Sequence, residues 1–162
     1  MVEKFYPDYK LKSIEDVDFD ILSAKNIRFV LLDIDNTLVA YTSPYADDRA
    51  RSFLAKLSQN GIAYAFVSNN HKERVERFAK EFGTFYVYDS GKPLLFGIKK
   101  AMRHLGAKKE NTALIGDQVF TDVYAGNRAG LLTFMVEPIE AKETPFFGIK
   151  RKLEAVVLKN YK

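Results

Sequence analysis

The chain of 162 residues has no cysteine. That excludes disulfides, thiolate metal sites and cysteine nucleophiles. No stretch approaches the roughly 18 consecutive apolar residues that cross a bilayer, and the N-terminus lacks the basic head and apolar run of a secretory signal. Neither an internal repeat nor a low-complexity linker is present. Charge of one sign is also scarce over most of the length. The net charge is +4, and the stretch from Lys142 to Lys162 carries six basic residues against Glu143 and Glu154, which is the whole excess. A basic face broad enough for nucleic acid is therefore not expected, and a local basic feature is.

What is present supports a real core. The chain is 47% hydrophobic, with 13 Phe and 9 Tyr, and its length favours one domain over residues 1–162. Apolar runs recur at 27–32, 62–67, 84–87, 111–115 and 131–136. Lacking clear alternation, they read as strands buried on both faces. Between them lie helical patterns. Asp47 or Asp48 opens one that runs to Asn60, with Ala50, Phe53, Leu54 and Leu57 inward. His71 to Phe82 is a second, and Pro93 to Leu105 a third with proline at its first position. A fourth runs from Val119 to Ala129. Strands alternating with helices predict a doubly wound, mainly parallel, five-stranded Rossmann-like α/β sheet.

Residues 1–26 read as an arm, with Ser13 capping a short helix at Ile14 and Asp16 at its third position. From Pro145 onward Phe146, Ile149, Leu153, Val156 and Val157 fall at helical spacing. That tail helix is expected to pack its apolar side on the domain.

Polar clusters stand where the strands end. Asp33 and Asp35 close the first central run, one residue apart and on the same side of the chain. Taken alone, the pair reads equally well as an Asx-type turn or as two carboxylates with chemistry to do. Ser68-Asn69-Asn70 ends the second run, Lys92 follows the third, and Gly116-Asp117 ends the fourth, with Asp122 one helical turn on. Ligands of open α/β sheets bind beyond the carboxyl ends of the strands. Four such coincidences favour chemistry over turns. Asp33 and Asp35 can supply a nucleophile and a proton carrier. Ser68 can donate to a phosphoryl oxygen, and Lys92 can neutralise charge. Asp33 and Asp117 offer Mg²⁺ two hard oxygen ligands. The set suits phosphoryl transfer to a carboxylate.

In these four motifs the sequence resembles the haloacid dehalogenase-like (HAD) hydrolase superfamily: Asp33-Ile34-Asp35-Asn36-Thr37, Ser68-Asn69-Asn70, Lys92 before Pro93, and Gly116-Asp117 with Asp122. The resemblance covers about residues 27–136. It implies a Mg²⁺-dependent phosphatase in which Asp33 becomes an aspartyl-phosphate and Asp35 acts as acid and then base. It further implies that the Asp35 carbonyl binds metal beside Asp33 and Asp117, that Thr37 orders the loop, that Ser68, Asn69 and Lys92 hold the phosphoryl group, and that Asp122 supports the site. Family members often carry a cap domain. Here only a short link follows Leu38, and one helix and one strand lie between Asn70 and Lys92, so no cap and an open site are expected.

The context Asp-x-Asp-Asn-Thr-Leu, with Gly116-Asp117-Gln118 and Thr121-Asp122, is similar to the YqeG-type subgroup, class IIIA, which resembles mitochondrial phosphatidylglycerophosphate phosphatases. A lipid phosphate is then the implied substrate, in a cytoplasmic protein whose basic tail (142–162) is a candidate for peripheral contact with the inner face of a membrane. Alternatives are a nucleotide or nucleic-acid-end phosphatase and a non-catalytic phosphate-binding regulatory module, and oligomerisation stays open. Among weaker candidates, His71 reads as a helix start, His104 as helix surface, Tyr41 and Tyr45 as residues of the open mouth, and Phe146-Phe147 as core packing.

Overall fold

The apolar runs pair into one parallel sheet. The computed structural model describes residues 2–140 and 145–161. Its strands are β1 (Tyr9–Leu11), β2 (Phe29–Leu32), β3 (Ala63–Val67), β4 (Tyr86–Val87), β5 (Thr112–Gly116) and β6 (Leu132–Val136). Their order is β1-β6-β5-β2-β3-β4. The sheet thus has six strands, not the five expected. The extra one lies in the N-terminal arm, where Tyr9 registers with Phe134 at the edge. Three residues, Tyr-Lys-Leu, are too few to show a period, which is why the pattern missed it.

The helices are α1 (Phe19–Ala24), α2 (Asp48–Gln59), α3 (Lys72–Ala79), α4 (Phe96–Leu105), α5 (Tyr124–Ala129) and α6 (Pro145–Leu158). Successive residues of β2 point to opposite faces, and both faces are dry. Val30 and Leu32 join Phe53, Leu54 and Leu57 of α2 and Phe78 of α3 on one side. Leu31 joins Ile98 and Ala101 of α4 and Ala125 of α5 on the other. Burial on both sides explains why these runs lack alternation. Ser13 caps its short helix through a capping box closed by Asp16, as expected.

Two helix starts differ from expectation, both beside the strand ends. The helix after Lys92 begins at Phe96, because the residues before it form a turn closed by Leu94 N–H on the Gly91 carbonyl; the Lys92–Pro93 bond in that turn is cis. The segment Val119–Val123 is a π-helical turn before α5. The N–H groups of Asp122 and Val123 both donate to the Gln118 carbonyl, and such widened turns are frequent at functional sites. Among the described residues no additional domain interrupts the sheet, so there is no cap. The order of strand addition reverses about β2, with β3 on one side and β5 on the other, all of them parallel. Asp33 therefore leaves the sheet at the switch point.

Candidate active site

Asp33 follows β2 directly and is pinned by its N–H to the Ile115 carbonyl at 3.0 Å. After it the chain folds into a tight loop. The N–H groups of Thr37 and Leu38 both reach back to the Ile34 carbonyl, and Asn36 takes a φ of 62°. Asparagine tolerates that left-handed conformation better than most residues. The loop brings the Thr37 hydroxyl to 3.4 Å from both Asp33 Oδ2 and Asp117 Oδ1, although Asp117 lies 80 residues further on.

Lys92 is the hub. Its side chain is only 2% exposed, and Nζ donates to Asp33 Oδ1 at 2.8 Å, to Asp122 Oδ1 at 2.6 Å and to the Val67 carbonyl at 2.7 Å. An ammonium has three N–H bonds, and each has an acceptor. Asn69 sets that lysine in place. Its Oδ1 accepts from Lys92 N–H and from Ser90 Oγ, while its Nδ2 donates to the Lys92 carbonyl. The Asn69 side chain is therefore engaged with the lysine's own backbone and with Ser90. Ser68 is buried, and its hydroxyl accepts from Asn70 N–H.

Asp122 also accepts from Gln118 N–H through Oδ2. It packs directly on Gly116. A Cβ at Gly116 would lie 2.3 Å from the Asp122 carboxyl carbon, so only glycine fits before Asp117.

Asp35 is held by Asn70 of the second motif and by Arg74, which sequence reading missed. Arg74 of α3 donates to its Oδ1 from Nε at 3.1 Å and from Nη2 at 2.9 Å. Asn70 Nδ2 donates to Oδ2 at 2.8 Å. Arg74 also reaches the Pro44 carbonyl, tying the loop after Val39 to α3. Arg151 of α6 was likewise missed. It pairs with Asp117 Oδ2 at 2.5 Å, donates to the Asp117 carbonyl at 2.9 Å and binds Glu154 at 2.8 Å. Glu154 is buried and also accepts from Val119 N–H. Neither arginine has a local signature, because each acts more than 30 residues from its own position.

The electrostatics follow from burial. Asp33, Asp117 and Asp122 can turn an oxygen each to within 4.8 Å of one another. Burial pushes Asp33 up to about 8, against the pull of Lys92, and the charges of Asp122 and Asp117 add to the rise. Burial also raises Asp117, to about 6, with Asp122 adding and Arg151 opposing. For Lys92 burial works against the charge, but Asp122 and Asp33 outweigh it and raise its pKa. Three carboxylates thus face two cations, Lys92 and Arg151. The excess negative charge is what a divalent cation removes. Asp122 is already shared between Lys92 and Gln118 N–H. Asp33 and Asp117, on either side of Thr37, are the hard-oxygen pair best suited to hold a divalent cation.

These residues open onto a cleft of about 340 Å³ lined by Asp33, Asp35, Ser68, Asn70, Phe146 and Lys150, among others. Phe146 and Phe147, expected in the core, stand at this mouth instead, and Phe146 is 72% exposed. They precede the part of α6 that packs on the domain. Neither Tyr41 nor Tyr45 is among the cleft's described lining residues. His71 immediately precedes α3 and contacts Asp89 at 3.0 Å, and His104 stacks on Phe85.

A buried aspartate at the switch point, a lysine bound to it and a second carboxylate across a threonine are a constellation suited to phosphoryl transfer. Residues 29–130 match the model of the haloacid dehalogenase-like hydrolases, and the chain belongs to that family as one of its phosphatases. It is 33% identical over 159 residues to "Probable phosphatase YqeG" of Bacillus subtilis, covering 98% of this chain and 92% of that protein. Similarity also extends to "Phosphatidylglycerophosphate phosphatase 1, chloroplastic/mitochondrial" of Arabidopsis thaliana, 26% identical over 96% of this chain but 47% of that one. The chain therefore spans about half of the plant protein. Among solved structures, the 3-deoxy-D-manno-octulosonate 8-phosphate phosphatase of Moraxella catarrhalis, in complex with magnesium, phosphate and KDO, shares the fold. It has a TM-score of 0.55 and 23% identity, over 86% of this chain and 91% of that one.

Proposed function

We propose that this phosphatase is a Mg²⁺-dependent phosphomonoesterase that works through an aspartyl-phosphate on Asp33, and that its substrate is a lipid phosphate such as phosphatidylglycerophosphate. The observation that carries the chemistry is the Asp33–Lys92–Asp122 network with Asp117 across Thr37. The chemistry conserves atoms simply. An Asp33 oxygen attacks phosphorus, the bond from phosphorus to the ester oxygen breaks, and Asp35 gives that oxygen its proton. Asp35 then takes a proton from water, the resulting hydroxide attacks phosphorus, and the acyl-phosphate bond breaks to free Asp33 and inorganic phosphate. Arg74 and Asn70 orient Asp35 for both transfers. Ser68 donates to a phosphoryl oxygen, and the charge of Lys92 offsets that of the phosphoryl group beside Asp33. Asp33 and Asp117, with the Asp35 carbonyl, would hold Mg²⁺, whose charge would offset the carboxylates and the phosphoryl group as they approach.

The similarity to a phosphatidylglycerophosphate phosphatase supports the lipid reading, as does an open cleft that a large headgroup can enter. Asp33→Asn should lower hydrolysis of an aryl phosphate by more than about 10³-fold, and chelation should abolish wild-type turnover. Full activity in Asp33→Asn would sink the mechanism. Turnover of a 3′-phosphorylated oligonucleotide well above that of phosphatidylglycerophosphate would overturn the lipid reading and leave the mechanism standing.

A further inference from the structure

Helix α6 faces the wrong way for an ordinary amphipathic helix. Its inward side carries Arg151, Glu154 and part of Lys150, with Val157 and Leu158 against Val119, Val123 and Met135. Its outward side carries Phe146, Ile149, Leu153 and Val156, at 72%, 62%, 54% and 69% exposure. Their spacing of three, four and three residues sets them in one line along the helix. Single exposed apolar residues need no explanation, but a continuous line beside a functional cleft does.

The line has two neighbours that say what covers it. At its start, Phe146 and Phe147, in edge-on ring contact at 5.9 Å, line the cleft that holds Asp33. Along its flank the exposed charge is positive. Lys152 and, just past the helix, Lys159 are exposed, while the helix's one acid, Glu154, is buried. The 14-residue helix is too short to cross a bilayer, and no helix among the described residues is long and apolar enough to do so. A helix with an apolar line, cationic flanks and no spanning length is built to lie in the plane of a membrane interface.

We infer that the outer face of α6 docks on an anionic lipid surface and sets the cleft mouth at headgroup level. A phosphate on a lipid headgroup then reaches Asp33 without leaving the bilayer. The choice of lipid as occupant rests on the lipid-phosphate reading above. A second copy of the chain could also cover the line, but an isologous contact would bring the lysine flanks of the two helices together and close the mouth at Phe146.

The test is co-sedimentation of the full chain with vesicles of phosphatidylcholine alone and of phosphatidylcholine mixed with phosphatidylglycerol. The wild type should bind the mixed vesicles preferentially, and added salt should weaken the binding. The combined variant Ile149→Ser, Leu153→Ser, Val156→Ser, which changes only exposed residues, should lose more than about tenfold in binding. Its hydrolysis of an aryl phosphate should stay unchanged. A wild type that stays in the supernatant with both vesicles, or a variant that binds like the wild type, overturns the docking surface. So does a concentration-dependent dimer that the variant abolishes. Vesicle binding needs no turnover, so loss of docking with phosphatidylglycerophosphate hydrolysis in detergent intact removes only the docking inference. Stripe-dependent binding without that hydrolysis supports docking and removes only the lipid substrate.

Discussion

Helices α2 and α6 carry similar apolar spacings and are seated in opposite senses. α2 turns Ala50, Phe53, Leu54 and Leu57 into the core, where β2 and β3 present apolar side chains. α6 turns in a lysine, an arginine and a glutamate, because the surface beneath it is Asp117, Gln118 and the Val119 N–H. The difference shows that a helix buries whichever face matches its bed. Periodicity in the sequence reveals that two faces exist, and the partner decides which one is hidden.

Three substitutions sharpen this contrast, in falling order of effect. Leu57→Ala removes a fully buried side chain from α2 and should cost about 2–5 kcal/mol; a urea unfolding midpoint measures it, and a loss below that range would mean the site collapses around the change. Glu154→Ala leaves Val119 N–H without its acceptor, takes one of two acceptors from Arg151 Nη1 and should cost about 1–3 kcal/mol. Its signature should be local, with amide hydrogen exchange accelerating across Pro145–Leu158 while the β2 and β3 amides stay protected. If exchange rises throughout the sheet, α6 is part of the core after all. Leu153→Gln, on the exposed face, should change the midpoint by no more than about 0.5 kcal/mol. A loss of the Leu57→Ala size would place that face against something in solution.

The strand ends were legible because an apolar run that stops at a carboxylate, a serine or a lysine is visible locally. Asp33, Ser68, Lys92 and Asp117 each sit at such a stop, and parallel order alone gathers them on one edge. Arg74 and Arg151 were not legible. Each reads as an ordinary charge on a helix surface, and only the fold brings Arg74 to Asp35 and Arg151 to Asp117. Asn69 was legible by its place in the motif, whereas the direction of its amide is set by Lys92, 23 residues away. The tail helix lies where the spacing predicts it, but of the residues expected inward only Val157 packs on the domain, while Phe146, Ile149, Leu153 and Val156 face outward. Lys142, Glu143 and Lys162 of the basic tail lie outside the described residues.

Asp117 answers to two masters. One oxygen lies beside Thr37, next to Asp33, and the other is gripped by Arg151 from the end of the chain. Couplings of this kind run equally in both directions. Whatever free energy Arg151 lends to or takes from a cation at Asp117 would return in equal measure to the seating of α6. If a cation takes Asp117 as proposed, its occupancy and the attachment of α6 would be linked through one carboxylate, and the helix would serve as a gauge of the state of the site beneath it.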